Sequence, residues 1–182
     1  MERAGRNARA LRSRAVSNLE FRPLIVADWP AVHEIYREGI ASGDATFETE
    51  VPEWDAWNSS RLPSCRVVAT RGEQVVGFAA VSPVSKRPVY AGVCEVVVYV
   101  AEAFRGQGVG KALMSELVTQ SEAAGIWTLQ ASIFPDNVAS LRAHEQAGFR
   151  VLGRRDRIAR FHDGRWRDTV ILERRSDSVG TS

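Results

Sequence analysis

From residue 19 onward, apolar and polar positions fall into short blocks whose period switches between two and 3.6. Residues 19–24 alternate and predict a strand. A helix follows to about Ile40, with Asp28 as its N-cap, Pro30 in its first turn, and Val32, Ile35, Tyr36 and Ile40 at helical spacing. Residues 41–51 read as a loop, and a short helix is expected around 53–61. Two strands, 65–70 and 74–81, meet at a tight Arg-Gly-Glu turn. Residues 82–90 carry two prolines and read as a loop. The strongest strand signal is 93–100, where six of eight residues are β-branched or aromatic. A long helix is expected from 108 to about 124, with Val109, Leu113 and Leu117 on its inner face. Residues 127–134 predict a strand, and 137–147 a helix ended by Gly148. Two last strands, 150–161 and 166–174, are expected to meet at an Asp163-Gly164 hairpin turn.

This order predicts one α/β (α+β) domain over residues 19–175, a mixed sheet covered by helices. The 182 residues suit a single hydrophobic core. No apolar run approaches the roughly 20 residues of a membrane-spanning helix, and no secretory leader is evident, so a cytoplasmic chain with no membrane partner is expected. Cys65 and Cys94, far apart and outside any C-x-x-C pair, agree with a reducing compartment. His33, His144 and His162 fall at no metal-ligand spacing, and no metal is expected.

The formal charge of +2 conceals an asymmetry. Residues 1–18 hold five arginines against Glu2, a net +4, which leaves −2 for the remainder. The basic segment reads as an extension outside the domain, and residues 176–182 as a short tail. A basic arm has a second reading as a nucleic-acid contact, with salt-dependent affinity lost on its removal. The rest of the chain offers no basic nucleic-acid face, so no nucleic-acid partner is expected.

The most specific motif is Arg105-Gly106-Gln107-Gly108-Val109-Gly110-Lys111, between the strongest strand and the longest helix. Glycines let backbone N–H groups approach a ligand, and a helix start adds unpaired donors and positive potential, which together suit a phosphate. Arg105 and Lys111 bring full charges. A P-loop is excluded because Arg105 stands at its first glycine and Ala112 at its Ser/Thr. A dinucleotide fingerprint fails because the third glycine comes one residue early.

Glu95 interrupts an otherwise apolar strand. A buried carboxylate is costly unless paired, and desolvation raises proton affinity, which suits a general base that deprotonates an ammonium. An exposed strand end or a structural ion pair are the other readings of Glu95. Asn137, Ser140, Leu141 and His144 share one helix face, placing Asn137 for hydrogen bonds to a ligand and His144 for protonating a leaving thiolate. A satisfied structural histidine is the alternative for His144.

The 105–111 segment matches the [QR]-x-x-G-x-[GA] motif, and the chain resembles the GNAT N-acetyltransferase superfamily from about Leu19 to Arg174. The resemblance implies a mostly antiparallel mixed sheet flanked by helices. It implies acetyl-CoA as cosubstrate, with the backbone of Val98, Tyr99 and Val100 on the pantetheine arm. Residues Gly106, Gln107, Gly108, Val109, Gly110 and Lys111 would hold the diphosphate. Four further segments resemble the phosphinothricin and methionine sulfoximine N-acetyltransferase branch. They are Asp44-Ala45-Thr46-Phe47-Glu48, Glu95-x-x-Val98-Tyr99-Val100, Asn137-x-x-Ser140-Leu141-x-x-His144-Glu145-x-x-Gly148-Phe149, and Gly164-Arg165-Trp166-x-Asp168.

That branch implies Glu95 as base, His144 as acid, a small amino-acid-like amine as acceptor, and a homodimer. Phe47 falls in its acceptor loop, and Arg87 and Tyr90 precede the base strand, with Arg87 suited to gripping an oxyanion bidentately. Arg87 also reads as a solvated loop charge. One position departs: where the branch carries a small hydroxyl residue two after the glutamate, this chain has Val97. Two rival functions remain in view, acetylation of a protein N-terminus or lysine, and a non-catalytic acyl-CoA sensor.

Overall fold

A computed structural model describes residues 18–181, so the expectation for the basic extension lies almost wholly outside the described residues. Seven strands form one sheet: β1 (Glu20–Pro23), β2 (Arg66–Arg71), β3 (Gln74–Pro83), β4 (Val93–Val100), β5 (Thr128–Ile133), β6 (Arg150–Arg160) and β7 (Trp166–Arg175). Their order is β1-β2-β3-β4-β5-β7-β6. Every neighbouring pair is antiparallel except β4 with β5. The α-helices are α1 (Trp29–Ala41), α2 (Trp54–Ser59), α3 (Val109–Ala123) and α4 (Val138–Gln146). All expected elements are present, and only their ends move.

Side chains alternate across the strands, so the sheet carries two cores. On one face α3 lays Val109, Leu113, Met114 and Leu117 over Val67, Val96 and Leu129. On the other, α1 and α2 bring Val32, Ile35, Tyr36 and Trp57 onto Phe78, Ala80 and Tyr99. Full burial of side chains such as Leu113, Leu117 and Phe78 stabilises the fold by about 1.5–3 kcal/mol each. The second core is aromatic: Phe78 stacks on Tyr99 at 5.3 Å and Tyr36 leans on Tyr99 at 4.7 Å. Gly39 permits this closeness, because a Cβ there would stand 2.5 Å from the Tyr99 ring.

Three local expectations need correction. Asp28 ends at the start of α1 but does not cap it with its side chain. Its carboxylate is taken by Arg22 at 2.6 and 2.7 Å and by the Ile25 N–H at 2.9 Å, which leaves nothing for the helix. The β6–β7 turn is one residue longer than the Asp163-Gly164 pair. Gly164 sits at φ 86° with its N–H on Phe161 O, so His162, Asp163 and Gly164 all lie in the turn. Residues 176–181, expected as a tail, lie against the domain: Ser176 is buried, its N–H on Trp127 O and its hydroxyl on Glu122.

Candidate active site

The site begins with a break in the sheet. β4 pairs with β5 only at Val93–Thr128, Cys94–Leu129 and Glu95–Gln130, and then runs five residues further with no partner on that side. Which backbone groups face the gap follows from the β3 register. Val84 N–H donates to Val93 O, and Ala101 N–H to Val76 O. Hydrogen-bonded pairs recur every second residue in an antiparallel ladder. Odd-numbered residues of β4 therefore turn their backbone toward β3, and Val96, Val98 and Val100 turn theirs into the gap. Val98 and Val100, which the resemblance assigns to the pantetheine arm, thus turn their backbone groups into the gap. Tyr99 does not: its backbone pairs with Phe78, and its ring belongs to the aromatic core.

Past the open end of β4 comes a 3-10 turn, Glu102–Phe104, and then the glycine loop. Gly106 and Gly108 adopt φ of 72° and 88°, conformations that cost an L side chain about 1–2 kcal/mol. Gly108 is the N-cap of α3, and Ala112 N–H makes the first helical bond, to Gly108 O. The N–H groups of Val109, Gly110 and Lys111 therefore have no acceptor within the helix. Nothing lies within 4 Å of where a Gly106 Cβ would stand, so the loop forms an open cradle edged by backbone donors. Arg105 and Lys111 are exposed beside it, Arg105 held by its Nε on Val100 O. The Gln107 side chain is occupied, donating to Ala103 O and accepting from Arg71, a β2 residue that the sequence reading did not connect with this loop. The open cradle and its donors fit a diphosphate.

Glu95 stands where the gap closes. Cross-strand partners share a face, so it lies with Ser82 and Gln130, and along β4 with Val97 and Tyr99, on the face that α1 and α2 cover. The carboxylate is half-buried, not fully buried, because the helical cover reaches Val97 and Tyr99 and stops short of it. Among the described residues it has no ion pair, so the structural-pair alternative is not what this fold contains. Further along the same face, the Tyr36 and Tyr99 hydroxyls reach each other and Thr46. Burial raises both phenols above their ordinary range, so they stay neutral donors.

Phe47 packs edge-on to Phe134 at 4.7 Å and lies 6.3 Å from Phe161. Arg87 and Tyr90 are exposed on the loop before β4, the guanidinium 5.5 Å over the Tyr90 ring. Both functional groups of Asn137 are engaged: Oδ1 accepts from Ser140 N–H at 3.0 Å, and Nδ2 donates to Asp44 O at 3.1 Å. Asn137 is therefore the N-cap of α4 and a tie to the acceptor loop, not a free ligand-binding amide. Ser140 keeps a half-buried hydroxyl.

His144 is buried, with Nδ1 2.8 Å from Ser140 O and its ring edge-on to Phe149 at 5.0 Å. A carbonyl only accepts, so Nδ1 carries the hydrogen. Burial lowers the pKa of the ring, with the Ser140 bond opposing in part. The neutral form thus prevails near pH 7, with Nε2 as an acceptor, which is the wrong state for an acid. The thiols offer no nucleophile either. Cys65 and Cys94 are fully buried, and burial pushes Cys94 up to about 11.

Among the described residues no helix is long and apolar enough to cross a membrane. Residues 29–149 match the Acetyltransferase (GNAT) family. The phosphinothricin N-acetyltransferase of Alcaligenes faecalis is 34% identical over 155 residues, 81% of this chain and 77% of that protein. The L-methionine sulfoximine/L-methionine sulfone acetyltransferase of Pseudomonas paraeruginosa is 26% identical over 81% of this chain and 89% of that protein. A GNAT superfamily phosphinothricin acetyltransferase from Sinorhizobium meliloti, solved with AcCoA, superposes with a TM-score of 0.80 at 30% identity. That match covers 91% of this chain and 92% of the other. With a split sheet, a glycine cradle at a helix start and these relatives, the chain belongs to the GNAT family of N-acetyltransferases.

Proposed function

We propose that this chain transfers the acetyl group of acetyl-CoA to the amino group of a small amino-acid-like acceptor, of the phosphinothricin or methionine sulfoximine/sulfone type. The observation that carries the reading is the gap between β4 and β5, which joins an N–H-lined glycine cradle at one end to Glu95 at the other. Backbone groups of Val98 and Val100 extend the sheet onto the pantetheine arm. The N–H groups at the start of α3 take the diphosphate, with Arg105 and Lys111 adding charge.

The acceptor approaches from the α1/α2 face. Glu95 removes a proton from its ammonium, directly or through one water, and the freed amine attacks the thioester carbon. An N–H facing the gap, from Val96 or Val98, stabilises the oxyanion that forms. The C–S bond then breaks. Because His144 spends its one proton on Ser140, the departing thiolate takes, by way of water, the proton that the attacking nitrogen sheds as the amide forms. Buried cysteines support direct attack over an acyl-enzyme.

The test follows CoA-thiol release with methionine sulfoximine, methionine sulfone, phosphinothricin, ordinary amino acids and a peptide. Turnover of the sulfur or phosphorus analogues should fall about 10²–10⁴-fold in Glu95→Gln, with acetyl-CoA binding kept. Turnover of the peptide alone would move the function to protein acetylation, and an unchanged Glu95→Gln would remove the base.

The homodimer belongs to the same reading. Strand β6 is a sheet edge exposed along nearly its whole length, and Val151, Leu152, Ile158 and Trp166 of this hairpin are each 46–58% exposed. A long apolar edge requires cover, and a second copy supplies it. Light scattering should give twice the chain mass, and Trp166→Lys should reduce it toward one; a monomeric parent ends this part of the reading.

A further inference from the structure

One side chain ties the acceptor loop to the far half of the sheet. Strand β7 pairs with β5 without a register shift, Gln130 opposite Glu173 and Ser132 opposite Ile171. Glu95 is opposite Gln130, so Ile171, Thr169 and Arg167 lie on the Glu95 face, at increasing distance from Glu95. Arg167 is largely enclosed, with 17% of its side chain exposed. Its guanidinium lies 4.2 Å from the Phe134 ring centre and 5.5 Å from that of Phe161, the two rings that hold Phe47. It also donates to Gly43 O at 3.5 Å, a contact across 124 residues of chain. Its carboxylate partner is weak: Asp136 stands 3.6 Å away and is 81% exposed.

The cation therefore does more for residues 43–47 than for any ion pair. A guanidinium held close to a desolvated aromatic ring is oriented by it, and its donors remain able to reach a carbonyl. Asn137 grips the next residue, Asp44, from the start of α4. Residues 43 and 44 are thus fixed from two elements, and Phe47 lies between the rings three positions on.

We propose that Arg167 is the positioning residue for the acceptor: by holding residues 43–47 against β5 and β7 it sets where Phe47 stands, and so how tightly the acceptor is bound, without taking part in donor binding. This rests on the acceptor reading above, so one of its tests avoids turnover. A glutamate-specific protease cuts after Glu48 and Glu50, both exposed just past the clamp. Cleavage there should be several-fold faster in Arg167→Leu and unchanged in Asp136→Asn.

In steady-state kinetics, Arg167→Leu should raise the acceptor KM about tenfold, with kcat and the acetyl-CoA KM within about twofold of the parent. Arg167→Lys keeps the charge but loses the guanidinium, and should recover only part of the loss. Unchanged cleavage in Arg167→Leu overturns the clamp. Equal losses in both KM values and kcat, together with a lowered melting temperature, overturn the positioning role in favour of general stability. A parent silent toward every acceptor sinks the functional reading, and the protease rates alone then decide the clamp.

Discussion

The loop at 105–111 and the loop at 43–47, which the proposed function assigns to donor and acceptor, are built by different means. The first is shaped by its own backbone: two glycines at positive φ and the bare N–H groups of a helix start make the cradle within a few consecutive residues. The second has local shape too, with Gly43 at φ 71° and Thr46 Oγ1 accepting from Glu48 N–H, but it also leans on remote side chains. It is held by Asn137 from α4, Arg167 from β7, and the rings of Phe134 and Phe161. A site written in backbone conformation tolerates change in its side chains, whereas a site held by remote side chains can be retuned one residue at a time.

The largest test of the contrast lies between them. Glu95→Gln should cost about 10²–10⁴ in kcat while leaving both loops intact, so donor binding and loop protection should match the parent. Next comes Gly108→Ala, which forces an L side chain to φ 88° and should weaken acetyl-CoA binding about tenfold, a figure titration calorimetry can check. Acceptor KM should hardly move, and a parallel rise in both constants would erase the distinction. Arg167→Leu gives the mirror image, a comparable change confined to the acceptor.

The smallest expected effect concerns His144, buried on α4 against Phe149. Burial lowers its folded pKa below the ordinary 6.5, so the folded state binds its proton less readily than the unfolded chain. Its contribution is neutral above about pH 6.5 and becomes destabilising as pH falls from there through the folded pKa. Melting temperature should therefore drop between pH 7 and pH 5, and less so in His144→Gln. An equal slope in both proteins would place the titration elsewhere.

Much of this was legible along the chain, and the pattern of what was not is physical. Strand β4 announced itself because six β-branched or aromatic residues among eight favour little else, and the glycine loop because its shape needs only neighbours in sequence. Val98 and Val100 were assigned to the pantetheine arm by resemblance, and their backbone faces the gap. The misassignment of Tyr99 came from ignoring that alternate residues in a strand turn their backbone in opposite directions. Asn137 was rightly put at a helix start, but Asp44, 93 residues away, takes its amide, and no local signal carries that. Asp28 looks like a cap until Arg22 is seen beside it. Arg167 sat at the unassigned position between Trp166 and Asp168. Period-two alternation with Thr169 and Ile171 put it on one face of its strand, but only the strand order could say that Glu95 shares that face.

The brief parallel contact between β4 and β5 has a consequence for the molecule's life between turnovers. Among the described residues, three residue pairs, with Gly92 O accepting from Trp127 and Thr128 N–H just before them, make the backbone seam between a four-stranded leaf and a three-stranded leaf. A donor lying in the gap works as a splice, adding rungs where the polypeptide supplies none. Tight binding to the folded form alone raises resistance to unfolding with the logarithm of ligand concentration, by about 2.7 kcal/mol at a hundredfold excess over Kd. On the function proposed above, the resistance of this chain to unfolding would rise with the supply of activated acetyl groups.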